Sequence, residues 1–248
     1  MLIAGPCSVE NQEQAFKIAK FVQECGATIF RGGAFKGQNR PVVNGKPEYL
    51  GMGEPGVRLL AQIQKELKIP CVCDAQDLQQ AFYIHTFGIK YIMIGARNMD
   101  NLALLREVGI LYRNEPRRKI ILKRGPSATV DEFLGAAEHL GGPEKVILCE
   151  RGTVHFDRHH YTRYRLDMVG VAEIKKFNPE YKIIVDPSHG SGNRELIYLL
   201  TQCALAIADG VMIETHYNPN SSLTDAPQIV DFDEFKKIAK LYEGKNGK

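Results

Sequence analysis

The chain has no long apolar run: the longest uninterrupted stretch, residues 204–208 with Cys203 before it, is six residues, against the roughly 18 that a membrane-spanning helix needs. A secretory leader is not expected either, because Met1-Leu-Ile-Ala-Gly-Pro-Cys7 has neither a basic start nor an apolar core of about 7–15 residues. Charge of one sign is not in excess. The 32 Lys+Arg stand against 29 Asp+Glu, a formal +3 with no long basic run, so neither nucleic acid nor a membrane is expected as a partner. No Gly/Ser/Pro-rich linker or low-complexity tract divides the sequence, and a single domain spanning 1–248 is expected. Cysteine is sparse: Cys7, Cys25, Cys71, Cys73, Cys149 and Cys203 are scattered over 248 residues. In a chain of this size that reads as reduced thiols in a cytoplasm, not as a disulfide framework.

What is present is repetitive. Eight short, nearly continuous apolar runs occur at 2–4, 28–30, 71–73, 91–94, 120–123, 146–149, 183–185 and 211–213, as parallel strands buried on both faces should read. Between them lie stretches with helical spacing at 10–23, 57–67, 78–86, 101–108, 130–140, 194–206 and 231–242, and 164–177 reads as helix only in its second half. Thr129 is placed to cap the fifth of these, and Gly141-Gly-Pro143 stops it. Eight strand–helix alternations in about 250 residues predict an α/β fold, a closed (β/α)8 TIM barrel. The longest connection without a periodic pattern is 37–56, with five glycines and three prolines; loops of that length are often functional.

In such barrels the chemistry sits at the C-terminal ends of the strands. Just past the eight runs stand Cys7; Arg31 and Lys36; Asp74; Arg97; Lys123 and Arg124; Glu150 and Arg151; Asp186 and His189; Glu214 and His216. Arg31, Arg97, Lys123 and Arg151, with Lys36 as a fifth, would converge on one mouth. Cations gathered around a cleft repel one another unless an anion fills it, which points to phosphate or carboxylate. A second set, Cys7, His189, Glu214 and Asp225, offers thiolate, imidazole and two carboxylates, suited to Mn²⁺, Fe²⁺, Co²⁺ or Zn²⁺. Taken singly, Cys7 reads as a buried small hydrophobe and His189 as a hydrogen-bonded imidazole. His155-Phe-Asp-Arg-His-His160 reads as a solvated loop, and Cys71-Val-Cys73, with both thiols on one strand face, as core packing.

Several ordered motifs resemble one family: Ile3-Ala-Gly-Pro-Cys-Ser8, Phe30-Arg-Gly-Gly-Ala-Phe-Lys36, Ile94-Gly-Ala-Arg-Asn98, Leu122-Lys-Arg-Gly125, Leu148-Cys-Glu-Arg-Gly152, Val185-Asp-Pro-Ser-His189, Met212-Ile-Glu-Thr-His216 and Leu223-Thr-Asp225. The sequence resembles the compact, metal-dependent 3-deoxy-D-arabino-heptulosonate 7-phosphate (DAHP) synthases, which are related to the 3-deoxy-D-manno-octulosonate 8-phosphate (KDO8P) synthases. The resemblance implies condensation of phosphoenolpyruvate (PEP) with erythrose 4-phosphate at the head of the shikimate pathway. It implies a divalent metal on Cys7, His189, Glu214 and Asp225, and PEP on Arg31, Lys36, Arg97, Lys123 and Arg151, with Ala96 beside them. Metal-independent KDO8P synthases carry Asn where this chain has Cys7. Ile94-Gly-Ala-Arg-Asn98, Leu122-Lys-Arg-Gly125 and Tyr161-Thr-Arg163 resemble the DAHP enzymes. After Lys36, however, Gly37-Gln-Asn-Arg-Pro41 replaces the usual Pro-Arg-Thr/Ser, so that Asn39 and Arg40 would meet the acceptor and another phosphorylated aldose, such as arabinose 5-phosphate, stays open.

On this reading Lys123 or Lys36 donates a proton to the developing alkoxide, while Asp186 and Glu150 shuttle protons or stand behind the ligands. Two other readings are kept: a Schiff-base aldolase through Lys123, and a barrel that only binds a phosphorylated metabolite. A homotetramer or homodimer, the absence of a regulatory domain and insensitivity to aromatic amino acids are also expected.

Overall fold

The computed structural model describes residues 1–36, 42–43, 46–47, 49–156 and 161–246. Its frame is a closed barrel of eight parallel strands: β1 Leu2–Gly5, β2 Ile29–Arg31, β3 Cys71–Ala75, β4 Tyr91–Ile94, β5 Lys119–Lys123, β6 Val146–Glu150, β7 Lys182–Val185 and β8 Gly210–Glu214. Closure is made by β1, which pairs with β2 through Ala4 and Phe30 and with β8 through Gly5 and Glu214. Around it run α1 Gln12–Glu24, α2 Glu54–Leu67, α3 Leu78–Thr86, α4 Leu102–Tyr112, α5 Val130–His139, α6 Met168–Phe177, the short α7 Pro187–Ser191, α8 Arg194–Ile207 and α9 Phe232–Asn246.

Two separate apolar clusters show how each strand divides its side chains. The smaller draws one or two residues from every strand, among them Ile3, Val72, Ile121, Cys149 and Met212, and so fills the barrel interior. Alternate residues such as Leu2, Phe30, Leu122 and Leu148 join a larger cluster with Ile18, Leu60, Ile84, Phe133 and Ile238 of the helices. Cys71 and Cys73 both lie in that outer layer. Side chains switch face at every residue along a strand, and this period of two decides what reaches the mouth. At the opposite end Met1 packs on the interior cluster, its amino group donating to the Asp209 carbonyl at 2.6 Å.

The helix starts follow capping chemistry. Thr129 makes a full capping box with Glu132, satisfying two otherwise orphaned N–H groups, and Asp167 caps α6 by accepting from the Gly170 N–H. The described residues of the 37–56 connection hold regular structure that its composition does not predict. Val42–Val43 pairs antiparallel with Lys46–Pro47, and α2 begins at Glu54, three residues before the predicted start. Pro55 explains the early start, because a first-turn residue has no N–H bond to lose. The short α7 carries no readable period; Asp186 creates it by accepting the His189 N–H.

Candidate active site

Four separate elements bring the ligand-type residues together. Cys7 follows β1, His189 sits on α7, Glu214 ends β8, and Asp225 opens a single 3₁₀ turn. One donor atom from each lies within 4.8 Å of all the others. Cys7 Sγ donates to Asp225 Oδ2 at 3.2 Å, and His189 Nε2 stands 3.5 Å from Glu214 Oε1. The other ring nitrogen of His189, Nδ1, faces Asp186 Oδ2 at 2.8 Å. A carboxylate behind one imidazole nitrogen, leaving the other for an ion, is the common arrangement of a ligating histidine. Asp225 adopts a left-handed backbone, φ 50°, a conformation that few residues other than Gly, Asn and Asp accept. The donor set therefore fits a divalent transition ion, which would be held by one sulfur, one nitrogen and two carboxylates.

The electrostatics are tuned around this cluster. Burial and the neighbouring Glu214 push the Cys7 thiol up from its ordinary value, a balance that a bound cation reverses by favouring thiolate. Burial alone would also raise Asp186, but His189 and Lys123 more than reverse it and hold the carboxyl well below the usual range. Glu214 is lowered too, His189 and Arg31 outweighing its burial.

Lys123 Nζ donates to Asp186 Oδ2 at 2.7 Å and stands 3.4 Å from His189 Nδ1. Arg31 is committed inward: it donates to Glu214 Oε1 at 2.7 Å and to the Cys7 carbonyl at 3.3 Å, while Gln228 Nε2 holds the other Glu214 oxygen at 2.6 Å. Lys36 Nζ reaches Cys7 Sγ at 3.2 Å. That approach requires Gly33, since a Cβ there would stand 2.5 Å from Lys36 Nζ and 2.7 Å from the Cys7 carbonyl. Arg151 lies beyond the β6 end, stacked on Tyr164 with its guanidinium carbon 4.2 Å from the ring centre. Arg97 stands on an exposed turn, Ala96–Asn98, with Ala96 beside it.

The structure thus gathers Cys7, His189, Glu214, Asp225, Lys36, Lys123, Asp186 and Arg31 at one mouth, with Arg151 and Arg97 at its edge. Asn39 and Arg40 lie outside the described residues, as do the last two histidines of the 155–160 tract. Glu150 is placed elsewhere. Its strand neighbours Ile147 and Cys149 point into the barrel, so Glu150 faces the helices, where Arg124 Nη1 bonds it at 3.2 Å. Asp74 has no role on sequence reasoning, yet alternation with Val72 turns it into the barrel. Its Oδ1 and the Nε of Arg31 are buried without a hydrogen-bond partner among the described residues. One acceptor and one donor left open at the same mouth suit a polar ligand. Arg163, quoted above only within a motif, reaches Asp225 Oδ1 at 3.6 Å from the 151–167 segment.

The chain is similar to known proteins over nearly its whole length. A Thermotoga maritima protein named phospho-2-dehydro-3-deoxyheptonate aldolase is 37% identical over 240 residues, covering 96% of this chain and 67% of that protein. The crystal structure of DAHP synthase from the same organism superposes with a TM-score of 0.88 at 34% identity, covering 100% of this chain and 69% of that one. A truncated form gives 0.85 at the same identity, with 98% and 85% covered. A Fusobacterium nucleatum 2-dehydro-3-deoxyphosphooctonate aldolase is 25% identical over 262 residues, 97% of this chain and 88% of the relative. The sequence profile of the DAHP synthetase I family matches residues 1–246, and the chain belongs to that family.

Proposed function

We propose that this enzyme condenses PEP with erythrose 4-phosphate to give DAHP and inorganic phosphate, in the cytoplasm and as a homo-oligomer. The observation that carries the reading is one barrel mouth holding both the four-donor cluster and the Lys123–Asp186–His189 chain. A divalent ion of the Mn²⁺, Fe²⁺, Co²⁺ or Zn²⁺ class, held by Cys7, His189, Glu214 and Asp225, supplies Lewis acidity toward an oxygen ligand.

The chain's own residues do the rest. Arg151 and Arg97, with Lys123 and Lys36, bind the phosphate and carboxylate of PEP, since both anions demand guanidinium or ammonium partners. Held in that way, C3 of PEP meets the aldehyde carbon as a positioned neighbour. As the carbon–carbon bond forms, the aldehyde oxygen takes a proton, and water then adds to C2 before phosphate departs. Lys123 gives the new alkoxide its proton, a role supported by its burial and by the Asp186 bond at 2.7 Å. The same ion pair supports a proton-donor role over a Schiff-base nucleophile, which requires a free amine lone pair. Asp186 fixes the His189 ring and holds Lys123 in place.

The test is phosphate release from PEP with erythrose 4-phosphate, arabinose 5-phosphate and ribose 5-phosphate in parallel, with and without chelator. Chelator-sensitive release with erythrose 4-phosphate is expected. Preference for arabinose 5-phosphate would move the chain to the second reading, which relatives named 2-dehydro-3-deoxyphosphooctonate aldolase support. Binding of PEP with no phosphate release from any aldose would overturn both.

A further inference from the structure

We propose that Arg124, Glu150 and Asp167 form a clamp on the outer side of the sheet, which fixes the described residues of the 151–167 segment, 151–156 and 161–167, and thereby sets Arg151 on the PEP anion; this rests on the functional reading above. The three are positioning residues, and Glu150 carries no proton in the reaction.

Arg124 follows Lys123 and Glu150 precedes Arg151, so each clamp residue is the sequence neighbour of a mouth residue and faces the other way. Arg124 and Glu150 are almost fully buried, at 5% and 1% exposure. A single guanidinium nitrogen, Nη1 of Arg124, bonds Glu150 Oε2 at 3.2 Å and Asp167 Oδ2 at 2.7 Å. Its Nε and Nη2 both donate to the Ala128 carbonyl, so the guanidinium cannot swing out. The second Glu150 oxygen, Oε1, accepts the Gly152 N–H at 2.5 Å and the Asp167 N–H at 3.4 Å. Glu150 therefore grips the segment at both ends, and both of its oxygens are occupied on the side of the sheet away from the substrate.

Between those grips the described residues 151–156 and 161–167 pair with each other and with α7. Thr153 and Arg165 exchange backbone bonds at 2.8 and 3.1 Å, while the N–H groups of Arg163 and Tyr164 donate to the carbonyls of Ser191 and Gly190. Gly152 takes φ +97°, and a Cβ there would stand 2.6 Å from Tyr164 Cβ. That close approach brings Tyr164 under the Arg151 guanidinium. Loosening the clamp therefore frees the platform on which a PEP-binding cation rests.

The experiment uses the full-length enzyme with Glu150→Ala and Glu150→Gln, followed by steady-state kinetics and amide hydrogen exchange. Glu150→Ala should raise the PEP KM about ten-fold, kcat staying within about three-fold, consistent with the cost of small misplacements of substrate-holding groups. Glu150→Gln keeps the Oε1 acceptor and should restore most of that loss, with both limbs of the kcat–pH profile unchanged. In Glu150→Ala the amides of Thr153 and Arg165 should exchange at least ten-fold faster, and those of β7 as in the wild type. A kcat lower by a hundred-fold or more in both variants at unchanged PEP KM, or a lost limb of the pH profile, would overturn the proposal by making Glu150 a proton carrier. Unaltered exchange at Thr153 and Arg165 would overturn it too. Should Glu150→Ala fail to fold, Asp167→Asn undergoes the same measurements. If the wild type releases no phosphate from PEP with any aldose, the functional reading fails, and the exchange data still judge the clamp.

Discussion

Two buried ionic clusters lie back to back across the barrel wall. Inside, Lys123, Asp186 and His189 are joined to the Arg31–Glu214 pair; outside, Arg124 bridges Glu150 and Asp167. They use the same chemistry at similar distances, and Lys123 and Arg124 are consecutive residues. The difference lies in what surrounds them. The inner cluster borders open ligand capacity: donor atoms of four residues within 4.8 Å and unpartnered atoms on Arg31 and Asp74. The outer cluster is saturated by backbone groups of Ala128, Gly152 and Gly170. Buried ion pairs are poor evidence of function by themselves, because their desolvation and attraction nearly offset. What separates a reactive cluster from a structural one here is the set of bonds left unmade.

The sharpest break of this pairing is to remove each cation in turn. Lys123→Met should lower kcat about 10²–10⁴-fold, the usual range for losing a general acid, with little change in Tm because His189 still pairs with Asp186. A Lys123→Met enzyme with wild-type kcat would erase the distinction from the inner side. Cys7→Ala should remove stoichiometric metal from the purified enzyme and with it turnover. Metal content by mass spectrometry and assay in chelator-treated buffer check this, and a fully active, metal-free variant would show that the donor cluster is not used. Arg124→Met should act on stability, leaving Glu150 buried without its cation at a cost of about 3–5 kcal/mol, read from urea midpoints. A variant as stable as the wild type but inactive would place Arg124 among the reacting groups.

Much of this is legible in the sequence, and for a physical reason. Parallel strands covered on both faces read as uninterrupted apolar runs, so all eight barrel strands are visible, with ends within a residue or two of those observed. The polar group that follows each run is visible in the same way. Orientation is what such a reading leaves out: treating Glu150 and Arg151 alike as strand-end groups ignores the period of two that sends one outward and the other inward. Counting inward from Ile147 and Cys149 separates them, and turns Asp74 inward as well. Other features carry no sequence period. The α7 turn exists because one side chain, Asp186, caps it, and the approach of Lys36 to Cys7 exists because Gly33 has no Cβ. Neither writes a repeating pattern.

The smallest effect sharpens the outer cluster through pH. Burial would raise the Asp167 carboxyl, but the Gly170 N–H and Arg124 outweigh it and hold the group below its ordinary value. A carboxyl depressed by folding stabilises the native state above its unfolded pKa of roughly 3.9, and that contribution is lost as pH falls through the folded value. Asp167→Asn keeps a capping oxygen for α6 but turns an amide NH2, a donor, toward Arg124, so the charge-assisted bond to that guanidinium is lost. At pH 7 it should therefore cost about 1 kcal/mol, or roughly 2–4 °C in Tm for a chain of this size. The gap should shrink as pH drops below about 4, because a protonated Asp167 and the asparagine of the variant are then both neutral and alike in shape. Glu150 runs the opposite way. Burial pushes its carboxyl up, so its contribution favours the folded state at low pH and fades as pH rises through the folded value, and it cannot generate the same trend. Urea midpoints of wild type and Asp167→Asn between pH 3 and 7 make the comparison; a difference that stays constant or widens toward acid would mean that the Arg124–Asp167 bond is not what holds the outer cluster together.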